Sequence, residues 1–254
     1  MKSIEELLAG LGIHTKPTAV PGWPGAPLQM LEVPGAGAEE LWRALRAEAS
    51  ATGIWPLIVT GNIDLISENA QFSIEDGSEV PKLLDEAWDI DVPQWLAARR
   101  TEEEEDEEGE FAERVVFDVD WDAQGGDLDI DAVGGHREEG KYRETVSIWL
   151  VPAQQGWEVP AHLFLGSWNE VPETQQLVAL LRSWKKRFGA DLFSITHDRM
   201  EFDVQRPPTD RAAVEDLAVE QYLVCRDLVD QGYEEISRLA SALAGAKAWW
   251  FWWD

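Results

Sequence analysis

Apolar residues recur along this chain at two spacings, and these predict alternating helices and strands. A repeat of three or four residues is typical of an amphipathic helix, whereas short apolar or alternating runs are typical of strands. Their order favours an α/β or α+β fold in which helices flank a mixed β-sheet. The predicted helices are 3–12, 38–52, 80–88, 93–100, 173–188, 210–231 and 234–244, and the predicted strands are 28–33, 54–61, 145–151, 160–166, 191–196, 200–204 and 248–253.

An unbroken aromatic run, Trp249 to Trp253, lies in the last predicted strand. In a strand, Trp249, Phe251 and Trp253 share one face, and Trp250 and Trp252 share the other. An exposed segment of this composition would promote aggregation, so we expect an inner strand covered on both sides. The alternative is an aromatic platform for a base, a sugar or a partner helix, which requires one face to stay open.

Two alternating runs, 115–122 and 127–131, are joined by the turn residues 123–126, and they predict an acidic β-hairpin inserted into the fold. Like charges on adjacent strands destabilise a sheet, so an acidic face needs a reason. Three roles would explain the acidic face: it deters edge-to-edge aggregation, it holds a cation, or it meets a cationic partner surface. The predicted partner-binding residues are Asp118, Asp120, Asp122, Asp127, Asp129 and Asp131.

The hairpin matches a calcium-binding loop only in part. Asp118, Asp120 and Asp122 have the spacing of calcium ligands, but Ala123 stands where the loop requires glycine, and Asp129 replaces the bidentate glutamate. A looser divalent-cation site stays open as an alternative. We predict neither a metal site nor a cofactor.

The chain is strongly acidic, with a net charge of −28. Residues 101–140 contribute 17 acidic and 2 basic residues, and we expect the run 102–108 to be a solvated, mobile loop because its carboxylates repel one another. Phosphate backbones are bound by Lys and Arg, so the charge argues against nucleic acid and favours a basic protein partner, bound cations or plain solubility. We predict an N-terminal α/β region over 1–100, an acidic loop and hairpin over 101–140, and a C-terminal α/β domain over 141–254.

The predicted location is the cytoplasm. The single cysteine, Cys225, excludes an internal disulfide, and the first residues lack the features of a secretory signal. No apolar run is long enough to span a membrane, while 14 tryptophans and 44% hydrophobic residues are typical of a globular protein.

Polar residues of the C-terminal region could line a pocket. Asn169 follows Trp168 just past a predicted strand, where α/β sheets place ligands. His197 and Asp198 share a turn and could act as base and orienting group, although adjacent side chains rarely face one another. Glu220 and Asp227 share a face of the predicted helix 210–231, whereas Cys225 lies on its apolar stripe and is expected to be a buried, inert thiol. The pocket candidates are Trp168, Asn169, His197, Asp198, Glu220 and Asp227.

A combined pattern over residues 146–254 resembles a known bacterial family, with a weaker echo at residues 55–57. The pattern comprises Trp157, Pro160, Gly166-Ser167-Trp168-Asn169, Pro172, Trp184, Gly189-Ala190, Asp198, Glu201, Arg206-Pro207-Pro208, Glu220, Tyr222, Cys225, Asp227, Gln231-Gly232 and Phe251-Trp252-Trp253-Asp254. The family is the domain of unknown function 4253, so the resemblance implies a bacterial source and little about chemistry. By looser analogy, small, acidic, tryptophan-rich bacterial proteins are often immunity proteins that neutralise toxins.

These observations favour a protein that acts by binding rather than catalysis. No phosphate-binding glycine loop, nucleophile elbow or Cys and His metal spacing occurs, and we predict no catalytic residue. The most specific hypothesis is an immunity-like inhibitor of a basic toxin or nuclease, bound through the acidic surface. The alternative is an enzyme or small-ligand-binding domain with a pocket near Asn169, His197, Asp198 and Glu220.

Overall fold

In the described part of the chain, seven strands form one mixed β-sheet that is flanked by helices, as the alternating pattern predicts. The computed structural model of the protein describes residues 4–105, 110–117, 135–138 and 140–254. The seven strands are β1 Thr18–Ala19, β2 Gln29–Val33, β3 Trp55–Val59, β6 Val146–Val151, β7 Ala190–Ile195, β8 Arg199–Val204 and β9 Ala248–Trp252, and a separate small hairpin pairs β4 Arg137–Glu138 with β5 Lys141–Tyr142.

The helices precede, connect and cover these strands. A 3₁₀ turn at Gly156–Glu158 and a π-helical turn at Leu228–Tyr233 accompany the α-helices. The α-helices are α1 Ile4–Gly10, α2 Ala38–Ala47, α3 Ala49–Thr52, α4 Ile63–Glu75, α5 Val80–Asp89, α6 Val92–Glu105, α7 Glu110–Arg114, α8 Val159–Leu163, α9 Thr174–Phe188, α10 Arg211–Val224 and α11 Ile236–Leu243.

The strand order across the sheet is β1, β2, β6, β3, β7, β8, β9. The pairing of β3 with β7 is parallel, and the other pairings are antiparallel. β3 comes from the predicted N-terminal region, yet it lies between β6 and β7, which belong to the predicted C-terminal domain. One continuous sheet therefore takes strands from both regions.

The central strand β3 contains a proline, which cannot donate a backbone hydrogen bond. Pro56 faces Leu150 across the antiparallel pairing with β6, whereas β3 pairs with β7 only from Ile58 onwards. Two indoles supply hydrogen bonds near the proline: Trp42 Nε1 donates to the Pro56 carbonyl at 2.9 Å, and Trp55 Nε1 donates to the Leu192 carbonyl at 3.0 Å. Side chains thus stabilise the end of β3 where the backbone ladder is incomplete.

An aromatic cluster covers one face of strands β8 and β9. Trp184 of α9 stacks on Phe251 with ring centroids 5.1 Å apart and meets Phe202 and Trp249 edge to face. Trp249, Phe251 and Trp253 are buried, so the predicted alternation of the aromatic run is confirmed. The expectation of an inner strand is wrong, because β9 lies at the edge of the sheet, where β8 is its one partner among the described strands.

The opposite face of β7 and β8 carries buried acidic residues that pair with basic residues. Arg43 of α2 donates to Asp203 at 3.0 Å, and Arg46 of the same helix pairs with Asp191. Lys185 lies 2.7 Å from the same Asp191 carboxylate, which is 1% exposed. Unpaired carboxylates at this depth would strongly destabilise the fold, so these pairs fix α2 over the C-terminal strands.

The strand predicted at 160–166 is wrong, because this segment forms helix α8. Pro160 has the fixed φ that suits the first turn of a helix, and Phe164 ends the helix in the left-handed region at φ 52°. Four of the five helix residues are buried. The short apolar run therefore reflects the burial of most of this helix and not strand alternation.

The helix predicted over 210–231 ends earlier, because Cys225 is extended after Val224. At this point the helix end makes hydrogen bonds with the aromatic β9 segment. Trp253 Nε1 donates to the Val224 carbonyl, and Cys225 Sγ donates to the Trp252 carbonyl at 2.9 Å. Tertiary contacts thus replace the continuing helical ladder. Glu220 and Asp227 do not share a helix face, since Asp227 lies beyond the helix.

The sequence pattern also missed helical structure in the N-terminal half. Helix α4 was not predicted, although Asn62 caps it by accepting a hydrogen bond from the Asp64 N–H. The acidic run is helical as far as Glu105, because Glu103 pairs with Arg226 at 3.1 Å and Glu104 pairs with Arg100. Helix 38–52 is interrupted at Glu48 and becomes α2 and α3.

The predicted acidic hairpin lies almost entirely outside the described residues. Its start, residues 115–117, is described and contains no strand. The six aspartates between Asp118 and Asp131 are not described, so the hairpin and its role stay predictions.

The position of β3 predicts that residues 141–254 do not fold alone. Four buried apolar side chains of β3 would be lost, each contributing roughly 1.5–3 kcal/mol, against a total stability of roughly 5–15 kcal/mol for a typical protein. We expect the isolated fragment to lack the near-ultraviolet circular dichroism of packed tryptophans and a cooperative urea transition. Co-expression with residues 1–140 should restore both. A fragment that unfolds cooperatively by itself would contradict this dependence.

Candidate functional site

Buried polar groups converge at the carboxyl ends of the parallel strands β3 and β7. Glu201 of β8 is 7% exposed and accepts hydrogen bonds from the Ser194 hydroxyl and, at 2.6 Å, from the Gly135 N–H. A side chain at Gly135 would come 3.1 Å from Ser194 Oγ and 3.2 Å from Thr60 Oγ1. The Thr60 hydroxyl is buried and has no hydrogen-bond partner among the residues that the structure describes. Open α/β sheets commonly bind ligands at this edge.

Burial has the largest effect on the pKa of Glu201. It raises the pKa of Glu201 to about 7, although the hydrogen bonds from Ser194 and Gly135 and the charges of Arg199 and Arg143 lower that pKa. A buried carboxyl with a raised pKa is a common feature of active sites, but it also occurs in structural networks. Here both hydrogen bonds to Glu201 Oε2 come from the protein itself, so the carboxyl anchors the backbone at Gly135.

His197 and Asp198 lie at the same edge of the sheet, in the turn between β7 and β8. Asp198 accepts a hydrogen bond from the Thr196 hydroxyl at 2.5 Å and one from Trp252 Nε1 at 3.2 Å. His197 Nδ1 is 3.6 Å from the Asp198 carboxylate, which is too long for a hydrogen bond. The contacts of Asp198 therefore stabilise the turn and the β9 strand and do not orient His197.

Three further pocket candidates surround the aromatic β9 segment. Trp168 lines a small cleft together with His197, Asp198 and Trp253. Asn169 has a left-handed backbone, with φ 49°, and its amide donates to the Asp254 carbonyl. Asp227 accepts from the Asp254 N–H at 3.0 Å. The structure thus brings Trp168, Asn169, His197, Asp198 and Asp227 to the end of β9, where their contacts hold the chain.

Glu220 lies apart from that group. Its carboxylate accepts a hydrogen bond from Trp184 Nε1 at 2.6 Å and two from Arg187 Nη1 at 2.9 and 2.7 Å. These partners belong to α9, so Glu220 faces the helices and not the carboxyl ends of β3 and β7.

Cys225 is buried, as expected from its place on the apolar stripe. Burial raises the pKa of the Cys225 thiol to about 12, which outweighs the hydrogen bonds that lower it. A thiol that stays protonated is a poor nucleophile and a poor metal ligand.

An exposed apolar pair on an acidic helix is a second candidate, and the sequence analysis did not identify it. Leu65 and Phe72 of α4 are seven residues apart, hence on one helix face, and are 36% and 74% exposed. Glu68 lies between them on that face, while Ile66 and Ala70 turn toward the core. We call Leu65, Glu68 and Phe72 the α4 face. Adjacent exposed apolar side chains on one helix face, rimmed by acidic residues, are a feature of contact surfaces.

The sequence could not have revealed the Glu201 cluster. Thr60, Gly135, Ser194 and Glu201 come from separate segments, and no local spacing connects them. The helix of the α4 face was missed because Ile63, Ile66, Ala70 and Ile74 were not recognised as one helical stripe. No group of metal-binding side chains occurs within the described part of the chain.

Residues 147–254 match a family model described as Domain of unknown function (DUF4253). The resemblance noted in the sequence is confirmed for this C-terminal part of the chain, and the matched segment begins inside β6 and includes β7, β8 and β9 but not β3. No curated protein and no solved structure matches the chain. None of the described helices is long and apolar enough to cross a membrane.

The raised pKa of Glu201 predicts a pH-dependent stability. Folding favours the neutral acid, so this contribution to the free energy of unfolding is complete below the ordinary pKa of 4.5 and is lost as the pH rises to about 7. The loss is roughly 3 kcal/mol. Glu201→Gln should remove this slope, as measured by urea unfolding across that pH range. Glu68→Gln, at an exposed acid, is the control and should leave the slope unchanged. A constant difference between wild type and Glu201→Gln at every pH would contradict the assignment.

Proposed function

We propose that this protein acts by binding a basic protein partner and not by catalysis, and that the α4 face anchors the partner. Its most specific form is an immunity-like inhibitor of a basic toxin or nuclease. The observation that carries the proposal is the exposed Phe72 and Leu65 pair on an acidic helix. Aromatic anchors supply most of the binding energy at protein interfaces, and surrounding charges steer the approach.

The distribution of charge supports a basic partner. The chain has 49 acidic and 21 basic residues, and some of the few cations are used inside the fold. Arg43, Arg46 and Lys185 neutralise the buried Asp203 and Asp191. The acidic residues Asp64, Glu68 and Glu75 of α4 are exposed at the surface. Such a field attracts cationic surfaces and speeds their association.

The chemistry of the interior supports binding over catalysis. The Cys225 thiol is held protonated by burial, and the Asp198 carboxylate is engaged by Thr196 and Trp252. Glu201 has a raised pKa, but its hydrogen bonds are made with the protein's own Ser194 and Gly135. Cys225, Asp198 and Glu201 are thus each engaged by structural partners within the protein.

The proposal predicts that removing the apolar anchor weakens partner capture. Immobilised wild-type protein, Leu65→Ala/Phe72→Ala and the control Leu11→Ala are exposed to lysate of the source organism, and retained proteins are quantified by mass spectrometry. Leu11 is also an exposed leucine, but it lies near the end of α1. We expect one basic protein to be retained by wild type and by the control, and to be reduced about tenfold or more by the double variant. Retention should fall steeply with added salt.

A further variant distinguishes the contribution of the predicted hairpin to partner binding from that of the α4 face. Replacing the six aspartates at Asp118, Asp120, Asp122, Asp127, Asp129 and Asp131 by asparagine should slow association if the hairpin also steers the partner. A retained protein that is acidic, or whose retention ignores both salt and the α4 substitutions, would refute the proposed function.

A further inference from the structure

A groove of about 490 Å³ lies between helices α6, α9 and α10, on a different part of the molecule from the α4 face. Leu96 and Ala97 of α6 form one wall, and Val219 and Leu223 of α10 form the other. Arg187 of α9 also lines the groove. The volume and the largely apolar lining with a few polar groups are those of a small-molecule site.

The Arg187 guanidinium has a fixed orientation in this groove. Its Nη1 donates to both oxygens of Glu220, at 2.9 and 2.7 Å, and its Cζ lies over the Phe188 ring, 4.5 Å from the ring centroid. Glu220 is 8% exposed and is itself held by Trp184 Nε1. A buried carboxylate and an aromatic ring thus position this arginine before any ligand arrives.

One edge of that guanidinium is uncommitted. Arg187 Nε and Nη2 donate to none of the residues that the structure describes, and the side chain is 41% exposed. A planar guanidinium presents two parallel donors on each edge, and this fork matches the two oxygens of a carboxylate. An ion pair between this guanidinium and a ligand carboxylate is less accessible to water in an apolar groove than on an open surface.

We propose that the groove binds a monocarboxylate with an apolar body, such as a medium-chain fatty acid. The carboxylate binds the free edge of Arg187, and the apolar chain lies between Leu96 and Val219. This site is independent of the proposed partner binding, so either can fail without the other.

The other charges of the groove favour a carboxylate over an amine. Arg100 pairs with Glu104 at 2.8 Å, and Glu220 already accepts three hydrogen bonds, so Glu220 has little capacity left for an ammonium group. Asp216 also lines the groove but is exposed, and an exposed surface carboxylate contributes little to binding. The orientated donors of Arg187 are therefore the strongest recognition element in the groove.

Calorimetric titration of the full-length protein with decanoate, decan-1-ol and decylamine tests the ligand class. The three probes share one apolar chain and differ in the head group. We expect decanoate to bind at one site, and decan-1-ol and decylamine to bind about tenfold or more weakly, because neither can accept a charge-assisted bidentate hydrogen bond. Absence of decanoate binding, or equal binding of all three probes, would overturn the proposal.

Variants of adjacent alanines locate the site. Ala97→Trp fills the groove and should abolish decanoate binding, whereas Ala98→Trp, on the next exposed residue of α6, does not line the groove and should leave binding intact. Unchanged circular dichroism shows that each variant is folded. Decanoate binding that survives Ala97→Trp, or that is lost equally in both variants, would show that the groove is not the site.

A conservative substitution tests the role of Arg187 itself. Arg187→Lys keeps a positive charge beside Glu220 but removes the second pair of donors. We expect decanoate affinity to fall about tenfold while decan-1-ol affinity stays the same. Equal decanoate affinity in wild type and Arg187→Lys would show that Arg187 does not recognise the carboxylate.

Discussion

The fold depends on the insertion of β3 between β6 and β7. All five residues of this strand are buried, and it joins two strands that are not paired with each other. Pro56 interrupts the backbone ladder within it, and the indoles of Trp42 and Trp55 supply hydrogen bonds in its place. The weak echo of the family pattern at residues 55–57 falls on this strand. A segment distant in sequence thus completes the sheet of the matched C-terminal part.

The two faces of the sheet are stabilised by different interactions. On one face, Trp184, Trp249 and Phe251 make a dry aromatic cluster whose stability comes mainly from buried apolar area. On the other, Asp191 and Asp203 require the arginines of α2, and an acid without its partner there would be costly. Apolar packing tolerates some variation, whereas paired charges specify which helix docks and in which position. The charged face therefore determines the placement of the N-terminal helix on the C-terminal strands.

Much of the fold follows from local sequence patterns, because α9, β7, β8 and the alternation of β9 depend on periodicity and on stop residues such as Gly189. The failures arise where tertiary contacts override that periodicity. Pro160, Ala161 and Leu163 are apolar because they are buried in helix α8, and the predicted helix 210–231 ends at Val224 because the β9 segment meets it there. The Glu201 cluster was beyond sequence reasoning, since its members meet only after β3 enters the sheet. Glu220 was recognised as a pocket candidate, but its partner Arg187 was not, because the two residues are distant in sequence and meet only when α9 packs against α10.

Basic residues are outnumbered in this acidic chain, so the position of each arginine in the fold is informative. In a chain with 21 basic and 49 acidic residues, arginines at the surface gain little by adding one more exposed ion pair. Arg43 and Arg46 pair with the buried carboxylates of the sheet, and Arg43 also pairs with Glu39 of its own helix. Arg187 differs from them, because its Nη1 pairs with Glu220 while its Nε and Nη2 donate to none of the described residues, and the side chain lines an apolar groove. Neutralising Glu220 would need only a single donor group, such as a lysine. Neutralisation of Glu220 alone therefore does not explain why this residue is an arginine, whose planar guanidinium is held by Phe188 and Glu220.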